Sequence, residues 1–196
     1  MSDCCYNLLM RKIPAVLALL VLFASCATTG RDGPGPVYVT DAKKVSVLPA
    51  RYMDGKLEAV QFFSGSFGDR SFSSLVSIQA DGAGLSMTLL NDFGMDMGTL
   101  AYSDGSLSFS SPYFPEELRA EYILLDFQNA YYDFAALKKA YASAGLSFCS
   151  DRSDGKDVRQ LKDGDVVIEE IVREGGDVTI INLLRGYRYE LRTIEG

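Results

Sequence analysis

The stretch FPEELRAEYILLDFQNAYYDFAALKKAY, residues 114–141, decides the fold, because it is where the period of the apolar residues changes. Pro112, Pro115 and the pair Glu116-Glu117 make a helix start, with proline near the first helical position and negative charge at the positive end of the dipole. The spacing predicts a helix to about Tyr131. Leu118, Tyr122 and Leu125 recur four and three apart, and Ile123, Leu124, Phe127 and Ala130 put apolar surface on further faces. A second helix is predicted after Asp133, a residue type suited to an N-cap, with Phe134, Leu137, Tyr141 and Ala144 on one stripe and Gly145 as its stop.

On either side the period is two. Before the helices, residues 57–67, 70–80, 83–91, 95–102 and 107–111 read as strands, with Asp81-Gly82 and Asp104-Gly105 as tight-turn dipeptides. The clearest strand puts Phe72, Val76, Ile78 and Ala80 on one face and Ser71, Ser73, Ser77 and Gln79 on the other, and Leu85, Met87 and Leu89 continue the apolar face in its neighbour. After the helices, residues 146–150, 156–162, 166–173, 178–184 and 187–194 are strand-like, punctuated by Asp154-Gly155, Asp163-Gly164 and Gly175-Gly176. The expected fold class is α+β: a curved antiparallel half-barrel of about ten to eleven strands, with two central helices laid on its concave apolar face.

The helical stretch carries a pattern of a proline-led helix, leucines with the triplet Asp126-Phe127-Gln128, and an aromatic pair, Tyr131-Tyr132, before a second helix. It resembles the central signature of a family of uncharacterised bacterial lipoproteins with the fold of the Lol-type (LolA/LolB-like) lipoprotein carrier and outer-membrane receptor. RQLKDGDVVIEEIV (159–172) and INLLRGYRYELRTIE (181–195) are similar to that family's ending, although its members often carry Trp at the aromatic pair and this chain has none. The resemblance implies a hollow, roofed by helices and suited to acyl chains, lined by Phe72, Val76, Ile78, Leu85, Met87, Leu89, Phe109, Leu118, Tyr122 and Leu125. The alternative is that these stripes form ordinary dry core. Receptor-type members also use an exposed apolar loop to push lipid into the bilayer, and residues 91–98 (NDFGMDMG) offer Phe93, Met95 and Met97 for that role.

Upstream, residues 10–26 (MRKIPAVLALLVLFASC) read as a lipoprotein signal. Arg11 and Lys12 are the basic start, residues 13–23 the apolar run, and Ala24 and Ser25 the small residues before Cys26. The run is too short and wrongly flanked for a transmembrane helix, so residues 1–25 are expected to be removed, with Met10 a better start than Met1. Cys26 is the expected lipidation site; its covalent diacylglyceryl and acyl lipid is the anchor, and no other cofactor is expected. One acyl chain holds marginally and two or three hold firmly, at about 0.8 kcal/mol per buried methylene. Ala27, where an Asp would retain the protein at the inner membrane, favours the outer membrane. Residues 26–36 form the lipidated end and a Gly/Pro-rich tether, with a reach of up to about 35 Å when stretched, and residues 37–196 a single domain.

Removal of residues 1–25 takes away Arg11, Lys12 and Asp3, leaving 17 basic and 25 acidic residues and a net charge of −8. That balance argues against nucleic acid as a partner and against broad contact with anionic lipid headgroups. With no histidine in the chain, the usual serine or cysteine triads and His-based metal sites are excluded, and no enzymatic activity is expected. Cys149 is expected to be buried and inert, Asp151, Asp154 and Asp157 to form a solvated turn, and Asp126 to cap or to pair with Arg119 or Lys138. The function expected is that of a monomeric, periplasm-facing lipoprotein binding or transferring acyl chains, lipids or lipoproteins. The alternative is a structural or adaptor lipoprotein that binds an envelope protein through its acidic surface. A third possibility, an acyl-processing enzyme, requires Asp126 beside a cavity mouth.

Overall fold

The computed structural model describes residues 34–103, 105–111 and 119–194. The signal, Cys26, Pro112, Pro115, the Glu116-Glu117 pair and Leu118 lie outside the described residues. A small hairpin of β1 (Val37–Tyr38) and β2 (Lys44–Val45) leads into a single 3-10 turn, Ala50–Tyr52. Five strands follow: β3 (Leu57–Phe67), β4 (Arg70–Ala80), β5 (Gly84–Leu90), β6 (Asp96–Ser103) and β7 (Ser106–Ser110). Helices α1 (Ala120–Tyr131) and α2 (Phe134–Ser143) come next, then β8 (Ser147–Ser153), β9 (Lys156–Asp163), β10 (Val166–Glu174), β11 (Asp177–Asn182) and β12 (Tyr187–Thr193).

Strands β3 to β12 make one ten-stranded antiparallel sheet, ordered β7-β6-β5-β4-β3-β12-β11-β10-β9-β8. Pairing of β12 with β3, from Tyr187 opposite Phe67 to Thr193 opposite Gln61, joins the two halves. The sheet curves without closing, so β7 and β8 are free edges and the architecture is the expected α+β half-barrel with two helices.

Period-two patterning locates the strands because one face of each must be buried. Two strand ends differ by more than a residue: β8 runs on to Ser153, three residues past the expected end, because it stays paired with β9 up to the Asp154-Gly155 turn, and residues 183 and 184 leave the sheet, since the side-chain oxygen of Asn182 accepts from the Arg185 amide (2.8 Å) and ends β11 there. The helical boundaries follow local chemistry. Asp133 caps α2, its carboxylate accepting from the Ala136 amide (2.7 Å), and Gly145 beyond its end adopts φ +70°.

Cross-strand register assembles the concave face. Val76, Ile78 and Ala80 of β4 stand opposite Leu89, Met87 and Leu85 of β5, and Met87 and Leu85 stand opposite Leu100 and Tyr102 of β6. This half is apolar as expected. The other half is mixed: beside buried Leu161, Ile171, Val178 and Ile180, Asp157 and Arg159 of β9, Glu169 and Arg173 of β10 and Asn182 of β11 share the same face through pairings such as Glu169 with Leu161 and Asn182. These polar groups face inward because α1 supplies backbone and side-chain partners for them.

Helix α1 fills the hollow. Seven consecutive residues, Leu124 to Ala130, are buried, which a helix lying on a sheet alone would not achieve. The second cover is the segment from β1 to Met53. The Gln128 side chain accepts from the Leu48 amide (2.9 Å) and donates to the Leu48 carbonyl (2.7 Å), which also receives the Tyr102 hydroxyl (3.0 Å). The amides of Asp54 and Asp133 donate to Tyr131 and Tyr52. This strap carries buried Val37, Val39, Val45 and Ala50 and was invisible to periodicity, since two-residue strands have no period.

Candidate functional site

Of the ten expected lining residues, nine lie among the described residues. Val76, Ile78, Leu85, Met87, Leu89 and Phe109 form one continuous patch on the concave face of β4 to β7, and Leu125 is buried on α1. A gradient runs through the group. Val76 and Ile78 are fully buried and Leu85 and Leu125 nearly so, whereas Met87, Leu89, Phe109 and Tyr122 are half-buried and Phe72 is 36 % exposed. Phe72 belongs to an aromatic group on the same face: its ring centroid lies 5.2 Å from Phe63 and 6.3 Å from Tyr189, and Tyr189 stacks on Tyr187 at 4.8 Å. Gly65 makes this possible, since a Cβ there would overlap both the Phe72 and Tyr189 rings.

Deeper on the concave face, where α1 meets β10, β11 and β12, lies a buried acid pair. The Tyr187 hydroxyl donates to Asp126 (2.7 Å to Oδ2), and Asn182 donates to the Tyr187 hydroxyl (3.2 Å) and toward Glu169 (3.5 Å). Asn129 donates to Glu169 (3.1 Å), and its own oxygen accepts from the Tyr141 hydroxyl of α2 (2.6 Å). Asp126 therefore pairs with neither Arg119 nor Lys138; Arg119 lies beside Glu121 at 3.5 Å instead. Burial, then the neighbouring Glu169 charge, pushes Asp126 well above the usual carboxylate range, against the Tyr187 hydroxyl and Arg185. Burial also raises Glu169 to about 7, with Asn129, Arg185 and Asn182 pulling the other way. Two carboxyls sealed from water in one network both hold their protons more tightly than free carboxyls do, and a protonated carboxyl can donate as well as accept.

Sequence reasoning singled out Asp126 and missed Glu169. The run VVIEEIVRE shows two adjacent glutamates, and alternation cannot say which faces in. A bulge settles it: pairing with β9 shifts between Val167 and Glu169, so Ile168 and Glu169 are both buried.

The C-terminus of α1 is fixed by arginines of the same face. Arg159, 1 % exposed, donates to the carbonyls of Asn129 (3.0 Å) and Tyr132 (3.1 Å), and Arg173 donates to that of Ala130 (3.0 Å). Positive charge at the negative end of the helix dipole adds to these bonds. Asp157 lies within 3.4 to 3.7 Å of Arg152, Arg159 and Arg173. Burial alone would raise its pKa, but the Ser150 hydroxyl and then these three arginines outweigh burial and hold it low. Asp157 is thus part of an arginine network and not solvated, whereas Asp151 and Asp154 are exposed.

Two further expectations are located. Cys149 is exposed on the free edge strand β8, not buried, because its neighbour Phe148 takes the inward position. In the 91–98 loop, the side-chain oxygen of Asn91 accepts from the amides of Phe93 and Met95 (both 2.9 Å), and this turn exposes Phe93 and Met95, while Met97 sits within β6. Among the described residues no group of acids and cysteines is placed to hold a metal ion, and no helix is long and apolar enough to cross a membrane.

The fold and the site define an open antiparallel half-barrel whose concave face is occupied by a clamped helix over a buried acid pair. The chain belongs to the DUF3261 family of proteins of unknown function, whose model matches residues 58–195, from the second residue of β3 past the end of β12. The strap before β3 lies outside that match. No curated protein matches the sequence.

Proposed function

We propose that this protein is a lipid-anchored lipoprotein of the cell envelope, held at the outer membrane through Cys26 and facing the periplasm. It binds acyl chains, of lipid or lipoprotein, on the concave face between β4 to β7 and the N-terminal half of α1. The observation that carries the proposal is the exposure gradient: apolar side chains on one face pass from sealed at Val76 and Ile78 to open at Phe72, so the face continues as apolar surface beyond the helix that fills it. Likeness to the Lol-type carriers and the lipoprotein signal support the same conclusion, since a tethered domain at a bilayer meets acyl chains at high local concentration.

The test is native purification of a Cys26→Ala form, which removes the covalent lipid, followed by mass spectrometry of the extracted protein. An acyl lipid that copurifies with it and is lost from a Leu89→Glu variant of unchanged thermal midpoint is the expected result. Repeated recovery of a folded, lipid-free protein overturns the proposal.

A further inference from the structure

In an antiparallel sheet successive turns alternate between the two ends of the strands. At one end lie the β3–β4, β5–β6, β9–β10 and β11–β12 turns; at the other lie β4–β5, β6–β7, β8–β9 and β10–β11. Both rims carry acidic residues, Asp69, Asp92, Asp96 and Asp165 on the first and Asp81, Asp154, Glu174 and Asp177 on the second, and they differ in the apolar side chains of their turns. Each turn of the first rim carries an exposed large apolar side chain: Phe67 (61 % exposed), Phe93 (87 %) with Met95, Val166 (67 %), and Leu183 with Leu184. Among the described residues the turns of the second rim carry none, presenting Asp81, Ser106, Asp154, Lys156, Glu174 and Asp177, and the exposed apolar side chain at that end is Ile194, just past β12.

The apolar tips are held out by the backbone. Asn91 orders the Phe93 turn, and the Leu183 amide donates to the Ile168 carbonyl (2.8 Å) while Asn182 closes the following bend, leaving both leucine side chains outside the sheet. The N-terminal hairpin is tied to this same rim. Arg185 donates to the carbonyls of Tyr38 and Val39, and Lys43 bonds both Asp163 (2.6 Å) and the Gly145 carbonyl (2.8 Å). The chain that joins Cys26 to Val37 therefore enters the domain at the apolar rim.

We infer that this rim docks on the surface of the phospholipid bilayer that holds the anchor, with the apolar tips of the four turns inserted among the headgroups and the opposite rim facing away. The inference rests on the proposed lipid anchor. The short tether keeps the rim within about 35 Å of the membrane, and side chains such as Phe93 and Leu184 gain burial by entering the headgroup boundary to a depth of about 5 to 10 Å. Docking in this orientation also turns the Phe72 end of the concave face toward the bilayer, since Phe67 and Arg70 flank the β3–β4 turn.

The absence of tryptophan makes the test direct. The full-length acylated protein, carrying Leu184→Trp, Phe93→Trp or, on the opposite rim, Ala83→Trp, is reconstituted in phosphatidylcholine vesicles with and without bromine on the acyl chains. Bromine in the outer part of the chains should quench the first two by about half and leave Ala83→Trp unchanged. Co-flotation without quenching at Leu184→Trp and Phe93→Trp, or equal quenching at all three, overturns the orientation while leaving the anchor standing. Failure to co-float overturns the anchor and the docking together. Acyl cargo is read separately by mass spectrometry.

Discussion

Asp126 and Glu169 show what one residue can do to the whole stability curve. Both carboxyls are raised in the folded protein, so the folded state binds protons that the unfolded chain has already released. Their stabilising contribution is complete below the unfolded pKa values and is lost as pH rises through the folded ones. For Glu169 that window runs from the ordinary 4.5 to about 7. Chemical denaturation at several pH values should show stability falling across it, by on the order of 3 kcal/mol from this group. Glu169→Gln, which keeps an acceptor for Asn129 and cannot ionise, should flatten the fall; an unchanged slope refutes the assignment. Sequence alone expects Asp126 to cap or to pair with Arg119 or Lys138, but its neighbours Glu169 and Tyr187 come from strands more than 40 residues away, and no local pattern encodes that meeting. Cys149 failed for a simpler reason. On a free edge strand a cysteine in an apolar-looking run faces water whenever its neighbour, here Phe148, takes the core side, and maleimide should label it in the folded protein as fast as an ordinary accessible thiol.

At the scale of elements, the strands and the two helices were readable and the N-terminal strap was not. Leu57–Phe67 and Arg70–Ala80 follow directly from alternation, because a half-buried strand must alternate. The strap from Val37 to Met53 leaves no such mark, yet it closes the outer side of α1. Gln128 is the joint: its amide bonds both the N–H and the C=O of Leu48, as a neighbouring strand would. Gln128→Ala should leave the Leu48 amide without a partner and its carbonyl with the Tyr102 hydroxyl alone, and cost about 2 kcal/mol, with hydrogen exchange at the Leu48 amide accelerated well beyond that of the sheet. Arg159→Met tests the opposite end of the same helix. It removes two donors from buried carbonyls and one charge from the Asp157 group, and a loss of about 3 kcal/mol in urea denaturation is expected.

For the molecule as a whole, these joints are unevenly placed along α1, and that bears on how a filled half-barrel could take up an acyl chain. The C-terminal half of the helix is held by Gln128 to the strap, by Arg159 and Arg173 at its last carbonyls, and by Asn129 to Glu169 and Tyr141. Among the described residues the N-terminal half has no side-chain cap at Arg119, and Tyr122 meets the Arg185 guanidinium through its ring face at 4.2 Å. The half-buried residues Met87, Leu89 and Phe109 lie on the concave face, and Tyr122 lies in this less fixed half of the helix. An acyl chain entering beside Phe72 would displace the weakly held end and leave the clamped end in place. Hydrogen exchange with and without added palmitate should therefore change at residues 120–124 and in β4 and β5, while amides 127–131 keep their protection. Protection lost along the entire helix would mean that the clamp opens too, and no change anywhere would mean that the helix is fixed core and the acyl-binding face lies elsewhere.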